Sequence, residues 1–73
     1  MGSYNYQQLI KKLKKMGFNL YRQGKGSHAL WVNDATGTFV AIPNHGGKDI
    51  RRGTLRSIIK QIGLKNIEEL DQL

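Results

Sequence analysis

The chain has 73 residues and no cysteine, so neither a disulfide nor a thiolate zinc site can brace it. No apolar run approaches the ~18 residues of a membrane span, and the amino-terminal segment lacks the apolar core of a secretory signal. Met1-Gly2-Ser3 reads as a cloning remnant and not as a myristoylation signal, because position 6 is Tyr where that signal needs Ser or Thr. A soluble, cytoplasmic protein is expected, with no membrane partner. A chain this short buries only ~60% of the surface its unfolded form exposes. Residues 1–73 should therefore form one compact domain, whose core rests on apolar side chains alone or is completed by a partner.

Acid is the other scarcity. Five Asp and Glu face twelve Lys and Arg, for a net charge of +7. Glu68, Glu69 and Asp71 crowd the carboxyl-terminal end, so up to Lys65 only Asp34 and Asp49 oppose the basic residues. Such a body expects a polyanion, because cations that neutralise phosphates release condensed counterions. An anionic membrane surface would call for an amphipathic helix with bulky exposed apolar residues, and none is evident. Two histidines without cysteine, and acids mostly at the far end, make no metal-ligand set. No cofactor is expected.

What is present reads as α-β-β-β-α. Tyr6, Leu9, Ile10, Leu13 and Met16 recur at helical spacing, which predicts an amphipathic helix over 5–16. Asn5 or Ser3 can cap its start and Gly17 suits its end. Phe18–Gln23 follows as a strand, with Phe18, Leu20 and Arg22 on one side and Asn19, Tyr21 and Gln23 on the other. After Gly24-Lys25-Gly26, Ala29–Val32 and Thr38–Ile42 read as two more strands around a loop at 34–37. Gly37 supplies positive φ there, and Pro43 ends the last strand. A loop over 44–53 leads to a second helix capped by Thr54, with Leu55, Ile58, Ile59 and Ile62 as its apolar stripe. Asn66 and Glu69 have capping-box spacing, predicting one more helical turn over 67–70. A three-stranded antiparallel sheet covered on one face by two helices is the natural packing, an α+β fold. Both alternations of the second strand are apolar, so either Leu30 or Trp31 could be left on the open face as a contact for a base or a partner.

If 34–37 is the hairpin loop, Asn33 pairs with Thr38 and facing positions sum to 71. His28 then opposes Pro43 and His45 lies just beyond, so two imidazoles could reach one phosphate. Imidazole accepts and donates protons near neutrality, and RNA carries its own nucleophile in the 2′-hydroxyl. Beside His28, Lys25 and Ser27 would brace the phosphate together with the backbone N–H groups of the glycine turn. A histidine after Gly-Ser also suits a plain strand start hydrogen-bonded to a carbonyl, and His45 suits a solvated loop. The residues leave both readings open. Ser27 and His28 are adjacent and point apart if extended, which speaks against a serine hydrolase. Arg52, Arg56 and Lys60 form a basic stripe at four-residue intervals, to which Lys11 and Lys15 of the first helix and Arg22 of the first strand add. Such a stripe tracks phosphates without reading bases.

Gly26-Ser27-His28 before a strand, Ile42-Pro43-Asn44-His45 at the end of the next, and the run from Arg52 to Gly63 together resemble the HicA family of toxins. So does the opening from Leu9 to Phe18, and the likeness spans nearly the whole chain in order. The resemblance implies a fold like that of double-stranded-RNA-binding domains, mRNA interferase activity, and a cognate HicB-type antitoxin covering the active site. It places the family's catalytic histidine at His28 and carries no role for His45. The competing expectation is a non-catalytic RNA-binding module on the same scaffold, because fold alone does not fix function. DNA binding is a more distant alternative, since no helix carries base-reading Asn or Gln.

Overall fold

Asn5 starts the first helix through both of its backbone-facing groups. In the computed structural model, which describes residues 2–73, α1 runs Tyr6–Lys15. The Asn5 side chain accepts the Gln8 N–H at 2.9 Å, and the Gln8 side chain accepts the Asn5 N–H at 2.9 Å. Two donors that a helix start would leave orphaned are thus satisfied reciprocally. Gly17, at φ 98°, turns the chain out of the helix and into the sheet.

Strands β1 (Phe18–Gln23), β2 (His28–Asn33) and β3 (Thr38–Pro43) lie antiparallel in the order β1-β2-β3. The β2–β3 hairpin has the expected register: Asn33 pairs with Thr38, and each pair sums to 71 down to His28 and Pro43. Gly37 closes the loop at φ 72°, its N–H donating to the Asn33 carbonyl at 2.8 Å. The Asn33 side chain caps the turn by accepting the Ala35 N–H, and its amide donates to the Met16 carbonyl, tying the hairpin to the end of α1.

The register decides which residues face in. Ala29 and Trp31 of β2 join Val40 and Ile42 of β3 in one core with Tyr6, Leu9 and Leu13 of α1. The Trp31 indole N–H donates to the Tyr6 hydroxyl at 3.2 Å, so the buried ring keeps a polar partner. His28, Leu30 and Val32 therefore point to the opposite, helix-free face. Of Leu30 and Trp31, it is Leu30 that is left on the open face.

One sequence expectation fails in β1. The β1–β2 pairing shifts register between Leu20 and Arg22, and this bulge inserts one residue into the alternation. Arg22 pairs with Leu30 and Gln23 with Ala29. Arg22 thus shares the open face with Tyr21 and Asn19, away from Phe18 and Leu20, where strict alternation had put it.

Helix α2 spans Arg52–Gln61 and α3 spans Ile67–Asp71. The start of α2 also corrects the sequence reading. Thr54 lies inside the first turn, and the cap position is Arg51, which makes no side-chain capping bond. The turn is closed by the Leu55 N–H donating to the Arg51 carbonyl at 2.8 Å, so the cap lies three residues before the threonine predicted. Leu55, Ile58 and Ile59 carry the buried side of α2, and Ile62 follows in the same core. In α3 the Asn66 side chain accepts the Glu69 N–H at 3.0 Å. The Glu69 carboxylate accepts the Lys65 N–H instead of reaching back to Asn66, so only half of a capping box forms.

Tyr4, which the apolar pattern did not single out, is buried in the core, and its hydroxyl donates to the Asp71 carboxylate. Burial, with the bond and charge of Asp71, pushes that phenol well above its ordinary range. The Tyr4 carbonyl accepts the Ile50 N–H at 2.8 Å, and buried Ile50 anchors the middle of the long β3–α2 loop.

Candidate active site

The turn between β1 and β2 is built around a glycine set close against the main chain of His28. The Gly24 N–H donates to the His28 carbonyl at 2.8 Å, and the His28 N–H donates back to the Lys25 carbonyl at 3.4 Å. A Cβ on Gly24 would stand 3.0 Å from the His28 carbonyl oxygen, so a larger residue here would require that carbonyl to give by a few tenths of an ångström. Gly26 turns the chain at φ 64°. The main chain of His28 is thereby held from both sides, while its side chain is exposed on the open face.

The other side of His28 is closed by β3. The ladder ends at His28 and Pro43, but the Asn44 N–H still donates to the Ser27 carbonyl, one rung further at the same sum of 71. Gly46 then turns the chain at φ 68°, its N–H donating to the Asn44 side chain at 3.3 Å. The loop 44–47 is thus pinned to the 24–27 turn, with exposed His45 within it. Lys25, Ser27, His28 and His45 lie at one end of the sheet, and the hairpin register that puts His28 opposite Pro43 is the one expected.

Arg22 belongs to this end as well. It pairs with Leu30, two residues from His28 on the same face, so the guanidinium and the imidazole are diagonal neighbours, ~7–8 Å apart at the backbone. A fixed cation beside an exposed imidazole can hold a phosphate while the ring transfers a proton.

The helix residues expected to bind phosphates lie elsewhere. Arg52, Arg56 and Lys60 rim a groove of about 350 Å³ between α2 and α3, floored by Leu55, Ile59 and Ile67. That groove belongs to the helical layer and not to the open sheet face. Lys11 and Lys15 border a second hollow beside Tyr4 and Asp71. There the Lys15 ammonium donates to the Leu73 main-chain oxygen at 3.2 Å, and Lys12 donates to Asp71 and Leu73 main-chain oxygens. The expected basic stripe therefore divides between two layers: Arg22 stands with Lys25 beside His28, and the helix residues lie in the other layer. The sequence reading missed Tyr21 and Phe39, whose half-exposed rings share the open face. Their signal was an aromatic at an outward position of each outer strand, Tyr21 in β1 and Phe39 in β3. Among the described residues no helix is long and apolar enough to cross a membrane.

Fold and site together define a small basic α+β domain with an exposed histidine held by a glycine turn at the end of a three-stranded sheet. The chain belongs to the HicA toxin family: residues 6–64 match the family described as HicA toxin of bacterial toxin-antitoxin. It is also 36% identical over 61 residues to a protein of Pseudomonas fluorescens (strain Pf0-1) named "Probable mRNA interferase HicA", an alignment covering 84% of this chain and 97% of the relative. No solved structure matches it.

Proposed function

We propose that this protein is a toxin-type mRNA interferase, an endoribonuclease of the cytoplasm that cleaves RNA with His28 as general acid or base and is neutralised by a cognate HicB-type antitoxin. The observation that carries this reading is the mounting of His28. Its main chain is clamped by Gly24 and Lys25 while its imidazole stands free on the open face. An exposed imidazole on a main chain already held in place can meet a phosphate without rearrangement of the turn. Membership of the toxin family and the interferase name of the relative support the same activity.

The chemistry follows from RNA itself. The 2′-hydroxyl loses its proton to a base and attacks the neighbouring phosphorus. The bond from phosphorus to the 5′-oxygen breaks, and an acid returns a proton to that leaving oxygen. The products are a 2′,3′-cyclic phosphate and a 5′-hydroxyl, with no metal or cofactor required. His28 supplies one of the two proton transfers. Arg22, Lys25 and the backbone N–H groups of residues 25–27 oppose the charge that builds on the phosphate, and Ser27 adds a hydroxyl at the same turn.

The test is incubation of purified protein with RNA in excess chelator, comparing wild type with His28→Ala. Loss of one acid or base costs ~10²–10⁴ in rate, and DNA of the same sequence should survive for want of the 2′-hydroxyl. A variant that still cuts within a few-fold of wild type would overturn the role of His28. RNA binding without cleavage by the wild type would favour the non-catalytic module.

A further inference from the structure

The open face of the sheet carries an apolar cluster separate from the core. Tyr21 of β1 and Phe39 of β3 are 58% and 50% exposed, yet their rings meet edge to face, centroids 5.2 Å apart and planes at 86°. The strands that bear them flank β2, so the rings meet over the central strand. Val32, which pairs with both Asn19 and Phe39, lies beneath them at 8% exposure and outside the main core. Leu30 and Ala41, a cross-strand pair, complete the patch. A sheet face meant only for water carries polar side chains at such positions.

The bulge gives the cluster its direction. Because the register shifts between Leu20 and Arg22, Tyr21 and Arg22 both point to this face. An aromatic ring and a guanidinium thus sit side by side in the chain, with His28 diagonal to Arg22 at the end of the same surface. Moving along the face, one meets two half-exposed rings, then a fixed cation, then the imidazole. The spacing of strands in a sheet, ~4.8 Å, keeps these within the reach of one or two nucleotides.

We propose that Tyr21 and Phe39 form a stacking platform for unpaired bases of single-stranded RNA, placing the adjoining phosphate over Arg22 and His28. The proposal rests on the ribonuclease reading for the identity of the scissile phosphate, and charge selects the occupant. The face bears Arg22 and His28 and belongs to a body of net charge +7, so a ligand that is both anionic and rich in flat apolar surfaces fits it. Single-stranded RNA has both properties, whereas a duplex hides its base faces by stacking. Stacking on aromatic rings is tolerant of base identity, so the platform positions RNA without imposing a strict sequence.

The experiment measures binding of a fluorescein-labelled, 2′-O-methyl single-stranded oligonucleotide of mixed sequence, which cannot be cleaved because its 2′-oxygen is blocked. Binding to wild type, Tyr21→Ala, Phe39→Ala and the conservative Tyr21→Phe and Phe39→Tyr is followed by fluorescence anisotropy. Circular dichroism and thermal melting confirm that each variant is folded. Each alanine variant should bind about tenfold more weakly, which is ~1.4 kcal/mol and within the range of aromatic–base stacking. The conservative variants should bind like wild type. The salt dependence should keep its slope, because no cation is removed. A duplex of the same sequence should show no difference between wild type and variants. Because the ligand is uncleavable, the result stands whether or not His28→Ala abolishes activity, which keeps the two readings separable. Folded alanine variants that bind the single strand as wild type does overturn the platform. So does equal weakening for single strand and duplex. Loss confined to co-purification with an antitoxin would assign the face to a protein partner instead.

Discussion

The Gly24 N–H donates to the His28 carbonyl at 2.8 Å, and a Cβ at Gly24 would lie 3.0 Å from that same oxygen. One glycine therefore sets where the main chain of His28 sits. Gly24→Ala should push the His28 carbonyl away by a few tenths of an ångström and weaken the bond. We expect kcat for RNA cleavage to fall about tenfold, since small misplacement of a reacting group is costly, with KM little changed. The melting temperature should fall by several degrees at most, as ~1 kcal/mol moves it by ~4–8 °C in a domain of this size. Steady-state kinetics beside a melting curve check this, and an unchanged kcat would free His28 from the turn.

Asn44 extends the hairpin one rung by donating to Ser27, and His45 follows immediately. If His45 supplies the second proton transfer, the wild-type rate should show a bell-shaped dependence on pH. His45→Ala should then lose one limb and lower the maximum, while His28→Ala removes activity throughout. A profile of the same shape in His45→Ala would reduce His45 to a loop residue.

Arg52, Arg56 and Lys60 line the groove between α2 and α3, in a different layer from His28. Replacing all three with Gln should weaken RNA binding similarly across sequences and shrink the slope of log K against log salt. The expected change is ~0.7 per lost single-strand phosphate contact. The rate at saturating RNA should hold, because none of the three adjoins the histidine. A slope equal to that of wild type would mean that the RNA path avoids the helical layer.

These contrasts mark where the sequence was informative. The helix and strand periods were legible because Leu9, Leu13, Trp31, Val40 and Ile58 all serve one core. The hairpin register followed from a single glycine at position 37, and it alone brought His28 and His45 to the same end. The face of Arg22 was misassigned, because a bulge arises from pairing with β2 and leaves no mark in β1 itself. Thr54 misled for a related reason. A good capping residue competes with where the preceding loop delivers the chain, and buried Ile50, tied to Tyr4, delivers it three residues early. The edge-to-face rings of Tyr21 and Phe39 are eighteen positions apart in sequence and become neighbours only once both outer strands have found β2.

A ribonuclease with little sequence discrimination endangers the cell that makes it, and the family is that of toxins made with antitoxins. The chain's own acids offer no brake: Glu68, Glu69 and Asp71 belong to α3 and its flank, Glu69 and Asp71 being engaged with Lys65 and Tyr4. Control by a separate acidic protein fits the charge, since opposite potentials steer association and raise its rate. The open face gives such a partner Leu30 as an apolar contact beside His28, the role that would have fallen to Trp31 had the register been shifted by one. We therefore expect the product of the adjacent reading frame, co-expressed, to co-purify with this protein and suppress its cleavage of RNA. In that complex His28 should resist modification by diethyl pyrocarbonate, while free protein is modified. Leu30→Glu should weaken the complex more than 100-fold, because it places a like charge against an acidic partner and removes an apolar anchor. A complex that forms yet still cleaves RNA, with His28 open to the reagent, would show that inhibition does not work by covering this face.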